Sequence, residues 1–174
     1  YLPKQVPVTE LPEERMQFTL GMYGEGDFFT MKGVIEEFLY KAGMKLKPEY
    51  DPEAGKPFLH PGRQANVVYD GTVIGYLGEV HPTVAANYAI KERVYVAVLD
   101  MPEIVSRASF DHKYEGIAKF PAAARDISMV VPKKVLAGDI EKIFDEKGGQ
   151  FLEKYDLFDI YEGAQIEKGF KSMA

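Results

Sequence analysis

The chain has no cysteine and only three histidines among its 174 residues. Without cysteine there is no disulfide framework, no thiolate metal site and no thiol nucleophile. The absence is compatible with the cytosol. No run of roughly 18 apolar residues exists, so no segment reads as a membrane-spanning helix, and no signal peptide is legible. Basic side chains are fewer than acidic ones, 21 against 27, for a net charge of −6. That argues against a broadly basic nucleic-acid surface and leaves room only for a local basic patch. Most of the excess negative charge falls in residues 1–115. There is no P-loop, and Gly75-Tyr76-Leu77-Gly78 does not spell G-x-G-x-x-G. His60, His81 and His112 form no H-x-x-x-H pair, and no Ser–His–Asp constellation is legible. A metal centre is therefore not expected.

What is present is the composition of a folded protein. Hydrophobic residues make up 46% and aromatics 13%, which argues against disorder. The length suits one or two domains and is enough to bury a core. The chain opens on Tyr1 rather than Met. It stops at Phe170-Lys171-Ser172-Met173-Ala174, which reads as the opening of a strand. A fragment of a longer protein is the expectation.

The most informative stretch runs from Phe58 to Pro82. Asp70-Gly71 between two β-rich runs fits a two-residue type I′ turn, which needs φ > 0 at both central positions. Gln64 to Tyr69 should pair antiparallel with Thr72 to Leu77. Ala65, Val67 and Tyr69 then share one face, and Gln64, Asn66 and Val68 the other. Gly75 and Gly78 interrupt the second strand and predict a bulge or a close backbone approach. His60-Pro61-Gly62-Arg63 and His81-Pro82 read as turns flanking the hairpin.

Around this hairpin the pattern is mixed. Arg15 to Tyr23 predicts a half-buried strand with Met16, Phe18, Leu20 and Met22 on one face. Asp27 reads as the N-cap of a helix carrying Phe28, Met31, Ile35, Phe38, Leu39 and Ala42 at helical spacing, with Gly43 as its stop. Phe28-Phe29 reads either as core anchoring, the usual fate of phenylalanine, or as a pocket lining or partner surface. Lys45 to Lys56 reads as a strand plus loop, and Pro82 to Ala89 as a short helix. Arg93 to Leu99 reads as a strand apolar on both faces, hence central and buried on both. Asp100 can cap a helix from Pro102 to Arg107.

Ser109 to Gly116 is polar and aperiodic, and marks a domain boundary. Beyond it come a strand over Asp126 to Val131, a helix over Gly138 to Lys147 with Ile140, Ile143 and Phe144 on one face and Gly148-Gly149 stopping it, a long strand over Phe151 to Tyr161, and another from Phe170. This β-α-β-β order is the first two-thirds of a ferredoxin-like split βαβ unit. With no fourth strand, Asp126 to Val131 should stand as an exposed apolar edge. This second unit is then expected either to be less ordered than the first or to be covered by a neighbouring chain.

These segments together carry a resemblance. The HPGR segment, the Asp-Gly hairpin and the run I-G-Y-L-G-E-V-H-P resemble the β subunit of bacterial phenylalanyl-tRNA synthetase. Asp27-Phe28-Phe29-Thr30-Met31-Lys32-Gly33, Phe120-Pro121 with Arg125-Asp126, and Leu157-Phe158-Asp159-Ile160-Tyr161 agree with it, in the family's order. The resemblance implies an α+β chain in two parts. Residues 1–112 would be the C-terminal part of a catalytic-like, non-catalytic module with a class II synthetase fold. Residues 116–174 would be a truncated ferredoxin-fold anticodon-binding domain.

The family reaction joins phenylalanine to its tRNA with ATP and Mg²⁺, and the chemistry belongs to the α subunit. The resemblance thus implies a cytoplasmic protein with no catalytic residues and no cofactor of its own. Its partners would be the α subunit in an α2β2 assembly and tRNA(Phe), with no DNA and no membrane. Phe28, Phe29, His60 and Arg63 are candidates for the subunit interface. Lys119, Arg125, Lys133 and Lys134 are candidates for phosphate contact, and Phe158 and Tyr161 for stacking on splayed bases. Against this, a lysine pair usually marks a solvated loop, Phe158 is expected in the core, and Arg125-Asp126 can simply brace the start of the unit. Two other readings stand beside it: a ligand-sensing ferredoxin-like regulatory module, and a purely structural interaction protein.

Overall fold

Asp70 and Gly71 both take positive φ, 49° and 70°, which is the backbone a type I′ turn demands. Around them a computed structural model describes residues 6, 7, 9–111, 114, 116 and 119–174. The chain divides into two compact units, Tyr1–Lys113 and Tyr114–Ala174.

In the first unit the hairpin strands, here β3 (Leu59–Tyr69) and β4 (Thr72–Val80), sit within a five-stranded antiparallel sheet. Its order is β1 (Gln17–Tyr23), β5 (Val94–Asp100), β4, β3 and β2 (Glu49–Asp51). Ala65, Val67 and Tyr69 are buried, while Gln64, Asn66 and Val68 are only partly so. Gly75 lies beside a shift in register at Val67/Val68. A Cβ there would come within 2.4 Å of the Val98 carbonyl oxygen, so both predicted roles of an in-strand glycine meet at one residue.

The helix α1 (Phe28–Lys41) covers one face of this sheet. Asp27 Oδ1 accepts from the Thr30 N–H at 2.7 Å and from its hydroxyl at 2.7 Å. Those two bonds, hydroxyl first, hold the Asp27 carboxyl below its ordinary pKa. Met31, Ile35 and Leu39 of α1 pack against Ala65, Val67, Leu77, Ala97 and Leu99 of the sheet. Full burial of each such aliphatic chain stabilises by roughly 1.5–3 kcal/mol. Two short helices, α2 (Pro82–Asn87) and α3 (Met101–Arg107), follow β4 and β5. The Asp100 carboxylate caps α3 by accepting from Glu103 N–H at 3.4 Å.

Several expectations are corrected in this unit. HPGR is not a turn but an irregular part of β3. The β3–β4 pairing passes from Leu59↔Val80 directly to Gln64↔Gly78, which leaves His60 to Arg63 outside the ladder. Pro61 has no N–H to donate to a ladder, and the Gly62 N–H is taken by His60 Nδ1 at 3.1 Å. His81 is the N-cap of α2, its Nδ1 accepting from Thr83 N–H at 3.2 Å. In β5 only Tyr95, Ala97 and Leu99 are buried; Val94, Val96 and Val98 are half-buried, because α1 covers one face of the sheet. Met16 precedes β1 and is exposed, whereas Leu20 and Met22 pack on the core.

The second unit contains β6 (Met129–Pro132), α4 (Ala137–Lys147), a 3₁₀ turn over Gly149–Phe151, β7 (Ile160–Tyr161) and β8 (Phe170–Met173). The sheet order is β6-β8-β7, with β8 antiparallel to both neighbours. That is the arrangement of a split βαβ. β6 stands at the edge, with Val130 exposed. The long strand expected over Phe151 to Tyr161 shrinks to its last two residues. Tyr155 is drawn onto α4 instead: its ring lies 5.4 Å from that of Phe144, and its hydroxyl donates to Asp145 at 2.7 Å. The first strand likewise begins at Met129 rather than Asp126.

Candidate functional site

The first unit carries a charged cluster at the base of the hairpin. Glu79 of β4 is only 3% exposed, the one buried charged residue among those described. It lies opposite Tyr95 in the β4–β5 register, and the Tyr95 hydroxyl donates to its Oε2 at 3.2 Å. Arg63 Nη1 reaches the same carboxylate at 3.1 and 3.3 Å, and Arg93 Nε lies 4.0 Å from Oε1. A buried carboxylate is costly unless paired and hydrogen-bonded, and here it has both.

Arg63 and His60 thus sit in the same irregular segment. The rings of His60 and His81 each use Nδ1 as an acceptor, so a neutral ring carries its proton on Nε2 and offers a donor there. His112 lies outside the described residues. Among the described residues no three His, Cys, Asp or Glu side chains gather so as to hold a metal ion. No helix among them is long and apolar enough to cross a membrane.

The phenylalanine pair divides between its two readings. Phe28 packs against the core while Phe29 is 73% exposed, and the rings meet edge-on at 5.7 Å. Core anchoring therefore holds for Phe28 and fails for Phe29, because neighbouring positions on a helix point about 100° apart.

A cavity of about 360 Å³ opens between α1 and residues 44–48, lined by Glu36, Leu39, Tyr40, Met44 and Leu46 among others. Beside Glu36 lies the Tyr50 phenol, whose pKa is pushed above the ordinary value first by burial and then by the Glu36 carboxylate. The Tyr50 hydroxyl stays protonated beside the Glu36 carboxylate.

In the second unit the candidate basic residues differ in their engagement. Lys133 pairs with Glu162, and Arg125 donates Nη1 to the Ala124 carbonyl at 2.8 Å. Lys134 and Lys119 are exposed. Phe158, expected in the core, is 67% exposed; its backbone N–H donates to the Ala174 carbonyl, which keeps it beside β8. Tyr161 of β7 is exposed as well. It lies in the register row Val130–Ser172–Tyr161, and Met173 in the neighbouring row is buried. The sequence did not single out Glu79. A glutamate next to a strand glycine looks like any solvated position, and only the packing of Arg63 and Tyr95 around it reveals the cluster.

Comparison with known proteins covers both units. Residues 1–101 match the family described as phenylalanyl tRNA synthetase beta chain CLM domain, and residues 118–174 match the ferredoxin-fold anticodon binding domain. The chain is 42% identical over 165 residues to the phenylalanine–tRNA ligase beta subunit of Clostridium acetobutylicum, covering 95% of this chain and 21% of that protein. It is 41% identical over 174 residues to the protein of the same name from Clostridium tetani, covering 100% and 22%. Against that of Bacillus subtilis it is 38% identical over 160 residues, covering 92% and 20%. The chain spans about a fifth of the length of these curated relatives.

Proposed function

The chain belongs to the phenylalanyl-tRNA synthetase beta chain family, and we propose that it is a non-catalytic portion of the β subunit that contributes subunit assembly and anticodon-side tRNA binding. In this reading residues 1–112 form a catalytic-like module of class II synthetase type that packs on the α subunit of a cytoplasmic α2β2 enzyme. Residues 116–174 form the anticodon-binding domain. ATP-dependent joining of phenylalanine to tRNA belongs to the whole enzyme.

Among the described residues the hairpin region does not fit ATP with Mg²⁺, since no three His, Cys, Asp or Glu side chains gather there to hold the ion. Arg63, the arginine nearest the hairpin, directs Nη1 at Glu79, and Glu79 is buried under that contact and the Tyr95 hydroxyl.

One observation carries the RNA reading: the split βαβ unit matched to an anticodon-binding family leaves Phe158 and Tyr161 exposed near β8. Aromatic faces open to solvent suit stacking of unpaired bases, which is how proteins read single-stranded RNA. Lys134, with Lys119, Arg125 and Lys133, would supply phosphate contacts. Phe28, Phe29, His60 and Arg63 are proposed for the α-subunit side, with Phe29 as the exposed apolar anchor.

The test is binding of tRNA(Phe) to the chain with and without Phe158→Ala, Tyr161→Ala and Lys134→Gln. Stacking is worth about 1–3 kcal/mol per base, so each aromatic variant should bind about 5-fold to 150-fold more weakly. Unchanged affinity in both aromatic variants overturns the stacking role. Amino-acid-dependent ATP–pyrophosphate exchange by the chain alone would overturn the non-catalytic reading.

A further inference from the structure

The charged cluster at the base of the hairpin is lopsided. Two guanidinium groups converge on one carboxylate, so the cluster keeps one positive charge in excess. Arg63 offers the carboxylate a single nitrogen, Nη1, at 3.1 and 3.3 Å. Arg93 meets it only across 4.0 Å, an ion-pair distance that no hydrogen bond spans. The remaining N–H groups of both arginines have no protein acceptor among the described residues. Their side chains are 41% and 65% exposed, while Glu79 beneath them is buried. The chain neighbour Glu92 has its carboxylate beside Gly24, where a Cβ would lie 3.3 Å from Oε2.

A buried anchor with two partly ordered, outward-facing forks is a preorganised anion receptor. Guanidinium forks match the tetrahedral oxygens of a phosphate better than a lysine ammonium does. A single excess charge matches a phosphodiester, which carries one negative charge. The setting is open, since more than a third of each arginine side chain is exposed to solvent. An open fork holds a free phosphate only weakly, because nothing encloses it. It suits a phosphate that belongs to a polymer held at other points too.

We propose that Arg63 and Arg93, oriented by Glu79 and Tyr95, form a binding site for one backbone phosphate of RNA on the first unit of this chain. The site is separate from the aromatic and lysine residues assigned above to the second unit. It rests on the reading that the chain meets tRNA, and it gives Arg63 to RNA in place of the α-subunit side.

The test uses the whole chain. The arginine side-chain Nε–Hε signals are followed by NMR while inorganic phosphate is titrated. Saturable shifts at Arg63 and Arg93 are expected in the parent, and the shift at the remaining arginine should fall severalfold in Arg63→Gln (read at Arg93) and in Arg93→Gln (read at Arg63). The absence of saturable shifts in the parent, or a shift at the remaining arginine as large as in the parent, overturns the site. Arg93→Gln removes no hydrogen bond of the fold, so its result is read on a folded protein.

Binding of tRNA is then measured from low to moderate salt. The double variant should flatten the slope of log affinity against log salt by about 1, the loss of one phosphate contact. If phosphate shifts the signals but the slope is unchanged, the RNA assignment fails and the fork serves a free phosphate. Shifts with acetate as large as with phosphate would assign it to a carboxylate and likewise overturn it. A slope that falls with Lys134→Gln but not with the arginine variants sinks this site and leaves the second-unit reading standing.

Discussion

Glu79 and Tyr95 face each other across the β4–β5 pair, and the buried Tyr95 hydroxyl donates to Glu79 Oε2 over 3.2 Å. Tyr95→Phe removes one hydrogen bond to a charged group and leaves Arg63 in place. The expected cost is about 1.5–3 kcal/mol. Glu79→Ala should cost more, because it strands the phenol without an acceptor and frees Arg63 from its anchor. Urea unfolding checks both: the midpoint should fall while the slope with denaturant stays constant. A Glu79→Ala variant as stable as the parent would remove the cluster from any structural role.

Gly75 and Gly33 should respond with opposite sign to the same change. Alanine at Gly75 would press a methyl against the Val98 carbonyl oxygen at 2.4 Å and Leu99 Cδ2 at 2.8 Å. Overpacking of that kind costs about 1–3 kcal/mol. Alanine at Gly33, in the middle of α1 with nothing within 4 Å of the new methyl, should stabilise by up to about 1 kcal/mol through helix propensity. Melting temperatures of the two variants, measured side by side, should bracket the parent.

The Asp27 cap should give a pH-dependent contribution. Its carboxyl is held below the ordinary range by the Thr30 hydroxyl and N–H. A group with a lowered folded-state pKa adds stability above its unfolded pKa and loses it as pH falls through the folded value. The substitution Asp27→Asn keeps a capping oxygen without a titrating charge. The difference in melting temperature between parent and variant should therefore be largest near neutrality and shrink under acid. A difference that stays constant from about pH 7 down to about pH 3 contradicts the capping role of the charge.

Among the described residues strand β6 lies at an edge of its sheet, with Val130 exposed. Charged side chains on an edge strand suppress pairing between molecules. Val130→Lys should therefore leave the stability within about 0.5 kcal/mol of the parent and reduce concentration-dependent association in sedimentation. Equal association in both proteins would show that β6 is not the edge that sticks.

Local signals were legible wherever a single short-range rule dominates. Asp-Gly called for φ > 0 at two successive residues, and the hairpin follows from it. Asp27 and Asp100 sit before helices, where a carboxylate finds free N–H groups, and both cap. Met31, Ile35 and Leu39 are spaced to share a face and do. Where two local rules compete, the sequence misled. His60-Pro61-Gly62-Arg63 has the composition of a turn, yet the flanking β3–β4 pairing carries it through as an unpaired stretch of strand. Phe151 to Tyr161 has the apolar content of a strand, yet Tyr155 finds Phe144 and Asp145 on α4, and that contact outweighs strand pairing over most of the segment.

By itself the sequence determined the α+β character, the turn of the hairpin and the caps at Asp27 and Asp100, because these depend on residues a few places apart; between Val67 and Val68 the β3–β4 register shifts by one residue. It also held the family's segments in their order, which is what the resemblance read. Only the tertiary structure decided which side chains meet. Arg63, Glu79, Tyr95 and Arg93 come from three strands and a loop, and their convergence depends on the β3–β4–β5 register and on burial that no local pattern encodes. Likewise Phe29 and Phe158 read as core by residue type and lie exposed, because burial is settled by what packs opposite a side chain and not by its hydrophobicity alone.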